Sequence, residues 1–92
     1  MLIKAIERKY AKMKKMVIEL MTEIEKEYSV FGYNLQDEEN LNQFNKDVTY
    51  TLNHENLEEL AMYYEAFKYD CKEMTDYTKI NKLIDMLREL NK

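Results

Sequence analysis

The sequence predicts an all-α fold: a small three- to four-helix bundle with a long, heptad-patterned first helix. Three observations carry that expectation. Glycine occurs once, at Gly32, and proline not at all, whereas sheets and long loops draw on both for their turns and helix interiors exclude both. Charged residues make up 35% of the chain beside 46% hydrophobic ones, a balance that suits bundles and coiled coils better than disordered tails. Apolar residues recur at spacings of three and four along most of the length. Ninety-two residues are enough for one domain, 1–92, with a thin margin of stability.

The first helix, expected near 2–29, is the clearest. Ile3, Ile6, Tyr10, Met13, Val17, Leu20 and Ile24 alternate steps of three and four, and Leu2, Met16 and Met21 widen the stripe toward a bundle core. Such a helix runs for roughly 40 Å at about 1.5 Å per residue. Its heptad is also a candidate seam for a homodimer. Gly32 is its expected stop, being free to take the left-handed conformation. A second helix near 37–52 follows a cap at Asn34 or Asp37, with Leu41, Phe44, Val48 and Leu52 on its buried side. Thr49 and Thr51 weaken its last turn. Asn53 reads as the cap of a third helix near 54–73, whose stripe is Leu57, Leu60, Tyr64, Phe67, Cys71 and Met74. Thr75-Asp76 then caps a fourth helix near 76–91, with Tyr77, Ile80, Leu83, Ile84, Leu87 and Leu90 inward. The step from Met74 to Tyr77 to Ile80 breaks register, which a turn explains more simply than one long helix with a stammer.

Charge is unevenly spread within the net −4. Residues 1–16 carry six bases against one acid, residues 17–66 two bases against twelve acids, and residues 67–92 six bases against five acids. Basic side chains at a helix start oppose its dipole, so local helix stability does not account for them. Pairing with an acidic neighbour, in the fold or across a dimer, is the simpler reading. The alternative is an anionic partner, nucleic acid or a membrane surface, facing Lys4, Arg8, Lys12 and Lys15 on one helical side. The acidic middle either solvates a helical surface or attracts a basic partner groove.

No catalytic or cofactor constellation is expected, and no metal site. His54-Glu55-Asn56-Leu57-Glu58 has the outline of a zinc-protease H-E-x-x-H, but Glu58 replaces the second histidine. Cys71 falls on an apolar stripe, where a thiol acts as a small hydrophobe. A lone cysteine forms no internal disulfide and, with no signal-peptide pattern at the start, points to a cytoplasmic setting.

The expected function is therefore protein binding without catalysis. Glu55, Glu58, Glu59, Met62, Tyr63, Tyr69 and Glu73 form the candidate partner surface, off the main stripe of the third helix. Aromatic residues dominate interface hot spots and Met tolerates imperfect fit. The Lys-, Glu-, Asn- and Ile-rich composition has the style of small inhibitors and regulators of the anti-defence type carried by phage and other mobile elements. A structural subunit of a larger helical assembly is a further alternative.

Overall fold

The computed structural model describes the backbone of residues 2–91 and the side chains of residues 7–91. It holds four helices among the described residues, α1 (Leu2–Tyr28), α2 (Glu38–His54), α3 (Leu57–Asp70) and α4 (Thr78–Leu90), and no strand. The main pairings are α3 with α4, α1 with α4 and α1 with α2. So α4 lies between α1 and α3, and α2 leans on another side of α1. Long α1 sets the largest dimension of the molecule, 46 Å.

Burial follows the expected stripes with local shifts. Val17, Met21 and Ile24 of α1, Phe44, Val48 and Leu52 of α2, and Ile80, Leu83, Ile84 and Leu87 of α4 form the core with Leu57, Ala61 and Tyr64 of α3. In α1 the core takes Met21, and Leu20 is only half-buried. In α3 it takes Ala61, and Leu60 and Phe67 are half-buried. Toward its start α1 loses cover: Tyr10 and Met13 are half-buried, while Arg8, Lys9 and Lys12 are exposed. The side chains of Leu2, Ile3, Lys4 and Ile6, expected to continue the apolar stripe and the basic side, lie outside the described residues.

The end of α1 differs from the expectation. Ser29 takes the left-handed conformation at φ +52°, and Gly32 repeats it three residues later at φ +83°. What folds the chain back is Glu25, 1% exposed and the one charged residue in the described core. Its carboxylate oxygens each accept from the Phe31 N–H at 3.1 Å, and Oε2 accepts from the Tyr33 N–H at 3.0 Å. A buried carboxylate is costly unless hydrogen-bonded, and these backbone donors supply the bonds. A Cβ at Gly32 would meet nothing within 4 Å, so glycine is needed there for its φ alone.

Four other boundaries move: the end of α2, both ends of α3 and the start of α4. Asp37 caps α2 as expected, its Oδ1 accepting from Glu39 N–H at 2.9 Å. The helix then runs past residue 52 to His54, with the Thr49 and Thr51 hydroxyls turned onto the Asn45 and Asp47 carbonyls within it, at 2.7 and 2.9 Å. Asn53 is therefore inside α2 and accepts from Lys14 Nζ at 2.8 Å. Asn56 is the cap of α3, bonded to Glu58 N–H at 2.9 Å.

At its other end α3 stops at Asp70, and residues 71–77 form a turn plugged by buried Met74. The expected break between the third and fourth helices is present. The expected cap at Thr75-Asp76 falls one residue late: α4 starts at Thr78 with Tyr77 in the cap position and no side-chain cap bond, and Asp76 accepts from Thr78 N–H at 2.9 Å from one residue further back. That leaves Tyr77 ahead of the helix and exposed, against the expectation that it faces the core. Asn91 Oδ1 accepts from Leu57 N–H at 3.2 Å, tying the start of α3 to the end of α4.

Replacing Glu25 with Ala strands two loop amides and is expected to cost about 3 kcal/mol in chemical denaturation. Glu25→Gln keeps one acceptor and costs less. Glu19→Ala, at an exposed position, stays within about 0.5 kcal/mol of the parent. Equal effects at positions 25 and 19 would contradict the assignment.

Candidate functional site

The residues of chemical interest are dispersed. No group of three or more His, Cys, Asp or Glu among the described residues is arranged to hold a metal ion. His54 closes α2, its ring stacked on Tyr50 at 4.3 Å between centroids and its Nδ1 3.0 Å from the Tyr50 carbonyl. Cys71 is half-buried, with Sγ 3.5 Å from Glu73 Oε2. The surface features are more coherent, and they gather on α3.

Helix α3 is apolar on more than its core side. Leu57, Ala61 and Tyr64 point inward. Met62, Tyr63 and Tyr69 remain 59%, 47% and 82% exposed. Ala66 is exposed between them, and Glu55, Glu59 and Glu73 are exposed nearby in sequence. Glu55 caps the end of α2, Glu59 sits one turn before Tyr63, and Glu73 lies in the α3–α4 turn. Glu58 is differently employed. It receives Arg88 Nε at 3.3 Å, while Arg88 Nη1 reaches Glu65 at 3.5 Å. That pairing laces α3 to α4 and removes Glu58 from the freely available acids.

Tyr63 links this face to a cleft. Its ring stacks on Phe31 with centroids 4.9 Å apart, and its hydroxyl donates to the Val30 carbonyl at 3.3 Å. Phe31 also meets Tyr64 edge-on, and Tyr33 meets Phe44 in the same way at 5.0 Å. Between these rings, α2 and α3 leave an open hollow of about 320 Å³. Met21, Phe31, Phe44, Val48 and Leu60 give it an apolar floor, and Tyr33, Asp47 and Thr51 a polar edge. Sequence reasoning missed this hollow, because Phe31 and Tyr33 are loop residues that no helical period places.

The electrostatics of the edge come from one pair. The Tyr33 hydroxyl donates to Asp47 at 2.5 Å, and Gln43 Nε2 donates to the other carboxylate oxygen at 2.9 Å. The bond from Tyr33, then that from Gln43, lowers the Asp47 carboxyl below the ordinary carboxylate value. The same bond, with some desolvation, raises the Tyr33 hydroxyl above 10. Deeper in, the Tyr64 hydroxyl is fully buried and meets no hydrogen-bond partner among the described groups. Burial, with the Glu25 charge second, pushes its ionisation far up.

The basic face of α1 is less engaged. Arg8, Lys12 and Lys15 are exposed, and none enters an ion pair among the described residues. Lys14 is spent on Asn53. Two acids of α1 are used elsewhere: Glu25 is buried and Glu23 meets Lys79 of α4 at 3.7 Å. The bundle itself buries Val17, Met21 and Ile24, so that part of the expected homodimer stripe is already occupied within the chain.

The Tyr33–Asp47 bond gives stability a pH signature. Asp47, lowered on folding, contributes above its unfolded value near 3.8, and the contribution is lost as pH falls through its lower folded value. Tyr33, raised on folding, contributes below 10.0, and the contribution is lost as pH rises through its folded value. Tyr33→Phe is therefore expected to lower the thermal midpoint most around neutrality. The gap from the parent should narrow below pH 3.8 and above pH 10.0. A gap independent of pH would contradict the pairing.

Comparison of the chain with protein-family models, with curated protein sequences and with solved structures finds no match, so the functional reading stands on the residues themselves.

Proposed function

We propose that this chain is a non-enzymatic protein-binding module, an inhibitor or regulator that acts through the acidic, aromatic face of α3. The observation that carries the reading is the exposure of Met62, Tyr63 and Tyr69 on one helix whose other side is already packed into the core. Large rings and a thioether held in water on a well-packed scaffold are poorly used unless something covers them. Glu55 and Glu59 flank them and would steer a basic partner, making association fast and salt-sensitive.

Alanine at Met62, Tyr63 and Tyr69 together is expected to weaken partner binding by about 2 kcal/mol or more, a thirtyfold change. Circular dichroism should still report the folded helical protein, because Met62 and Tyr69 are exposed and Tyr63 gives up only its stack on Phe31 and its bond to Val30. Glu55→Lys with Glu59→Lys should slow association at low salt and leave dissociation nearly unchanged. Glu58 is left intact in that test, since its reversal would break the pairing with Arg88. Proteins captured from the native host equally well by the parent and the triple variant would count against this face.

A second reading has its own observation. The exposed, unneutralised Arg8, Lys12 and Lys15 favour an anionic partner for α1, whether nucleic acid or a membrane surface. No described helix is long and apolar enough to cross a membrane, so a membrane partner would be met at its surface. Gln at Lys4, Arg8, Lys12 and Lys15 is expected to abolish retention on heparin and on anionic vesicles. Failure of the parent chain to be retained at low salt would end this reading.

A further inference from the structure

The hollow between α2 and α3 is small and one-sided. At about 320 Å³ it lies at the bottom of the roughly 300–1,000 Å³ range of drug-sized ligand pockets. Its polar contribution is concentrated at one lip, where Asp47 and Thr51 sit one helical turn apart and Tyr33 reaches in from the loop. A metabolite would find few converging donors there. A side chain would find what it needs: an apolar floor of Met21, Phe44, Val48 and Leu60.

We propose that this hollow is an anchor pocket for one large apolar side chain carried on a basic protein segment. The proposal rests on the reading of the chain as a protein-binding module, and it supplies the chemistry of the partner. Two features argue for it. The first is charge. Asp47, at the lip, is fixed in place by Tyr33 and Gln43, and none of the residues lining the hollow is basic. Lys46 is the one base in α2, and it projects about 100° around the helix from Asp47. A segment bearing Lys or Arg beside its anchor would meet the Asp47 carboxylate at the lip. The second is continuity. Tyr63 belongs to the exposed face of α3 and stacks on Phe31, which lines the hollow together with Leu60 of the same helix. A helix or strand lying along α3 thus passes over the opening. Met21 in the floor and Met62 outside adapt to an imperfect fit.

The test is selection of a displayed random peptide library on the immobilised full chain, followed by affinity measurements on the enriched peptides. Enriched peptides should be net positive with a Leu, Met, Phe or Trp in common. Asp47→Asn, which keeps the shape and removes the charge, should weaken them about tenfold. Thr51→Arg, which fills the opening, should weaken them further. Amide shifts in the nuclear magnetic resonance spectrum should centre on Phe31, Thr51 and Leu60. Neutral or acidic winners would overturn the proposal, as would an absence of winners. It would equally fall if binding were untouched by both variants, or if sedimentation showed a second copy of the chain filling the hollow. Peptides that respond to Met62→Ala and Tyr69→Ala but not to the hollow variants would overturn the pocket and leave the α3 face standing. Indifference to every variant would remove both.

Discussion

The carboxylate of Glu25 is the constraint on which the rest of this structure depends. It sits in the core near the end of α1, where a charge is tolerated only because the backbone N–H groups of Phe31 and Tyr33 turn back to meet it. Meeting it forces two left-handed residues, Ser29 and Gly32, and a compact reversal before α2. The reversal decides where two aromatic rings go. Phe31 is set against Tyr63 and Tyr64 of α3, and Tyr33 against Phe44 and Asp47 of α2. One buried acid thereby holds apart two helices that are neighbours in sequence, and the hollow between them is the consequence.

Most of the helical frame was legible in the sequence, because burial on a helix has a period. Val17, Ile24, Phe44, Val48, Leu57, Tyr64, Ile80, Leu83 and Leu87 all lie where the spacing of three and four placed them. Caps were less legible, because their chemistry is shared by residues a turn apart. Asn53 and Asn56 can both cap, and only the tertiary structure shows that Asn53 is taken by Lys14 while Asn56 accepts from Glu58 N–H. Glu25 was hidden among twelve acids in its stretch of chain. Its position beside Ile24, four after Met21 and three before Tyr28, was the available signal, since that places it on the edge of the buried stripe. Phe31 and Tyr33 gave no signal of this kind: a loop has no period.

The candidate surfaces divide in the same way. Met62 and Tyr69 stand out from sequence spacing alone, as apolar residues on the far side of a helix, and they are exposed in the structure. Glu58 looked equivalent to Glu55 and Glu59, but only tertiary structure shows it bound to Arg88. The charge segregation along the chain was also plain beforehand. The structure adds that Arg8, Lys12 and Lys15 are exposed and enter no ion pair among the described residues.

Amide hydrogen exchange at Phe31 and Tyr33 tests the central claim most directly. These loop N–H groups should exchange as slowly as those of the α1 core near Ile24, because a buried carboxylate holds them. Exchange at the rate of the exposed neighbour Asn34 would mean that Glu25 does not grip the loop, and the account of how the hollow is formed would fall with it.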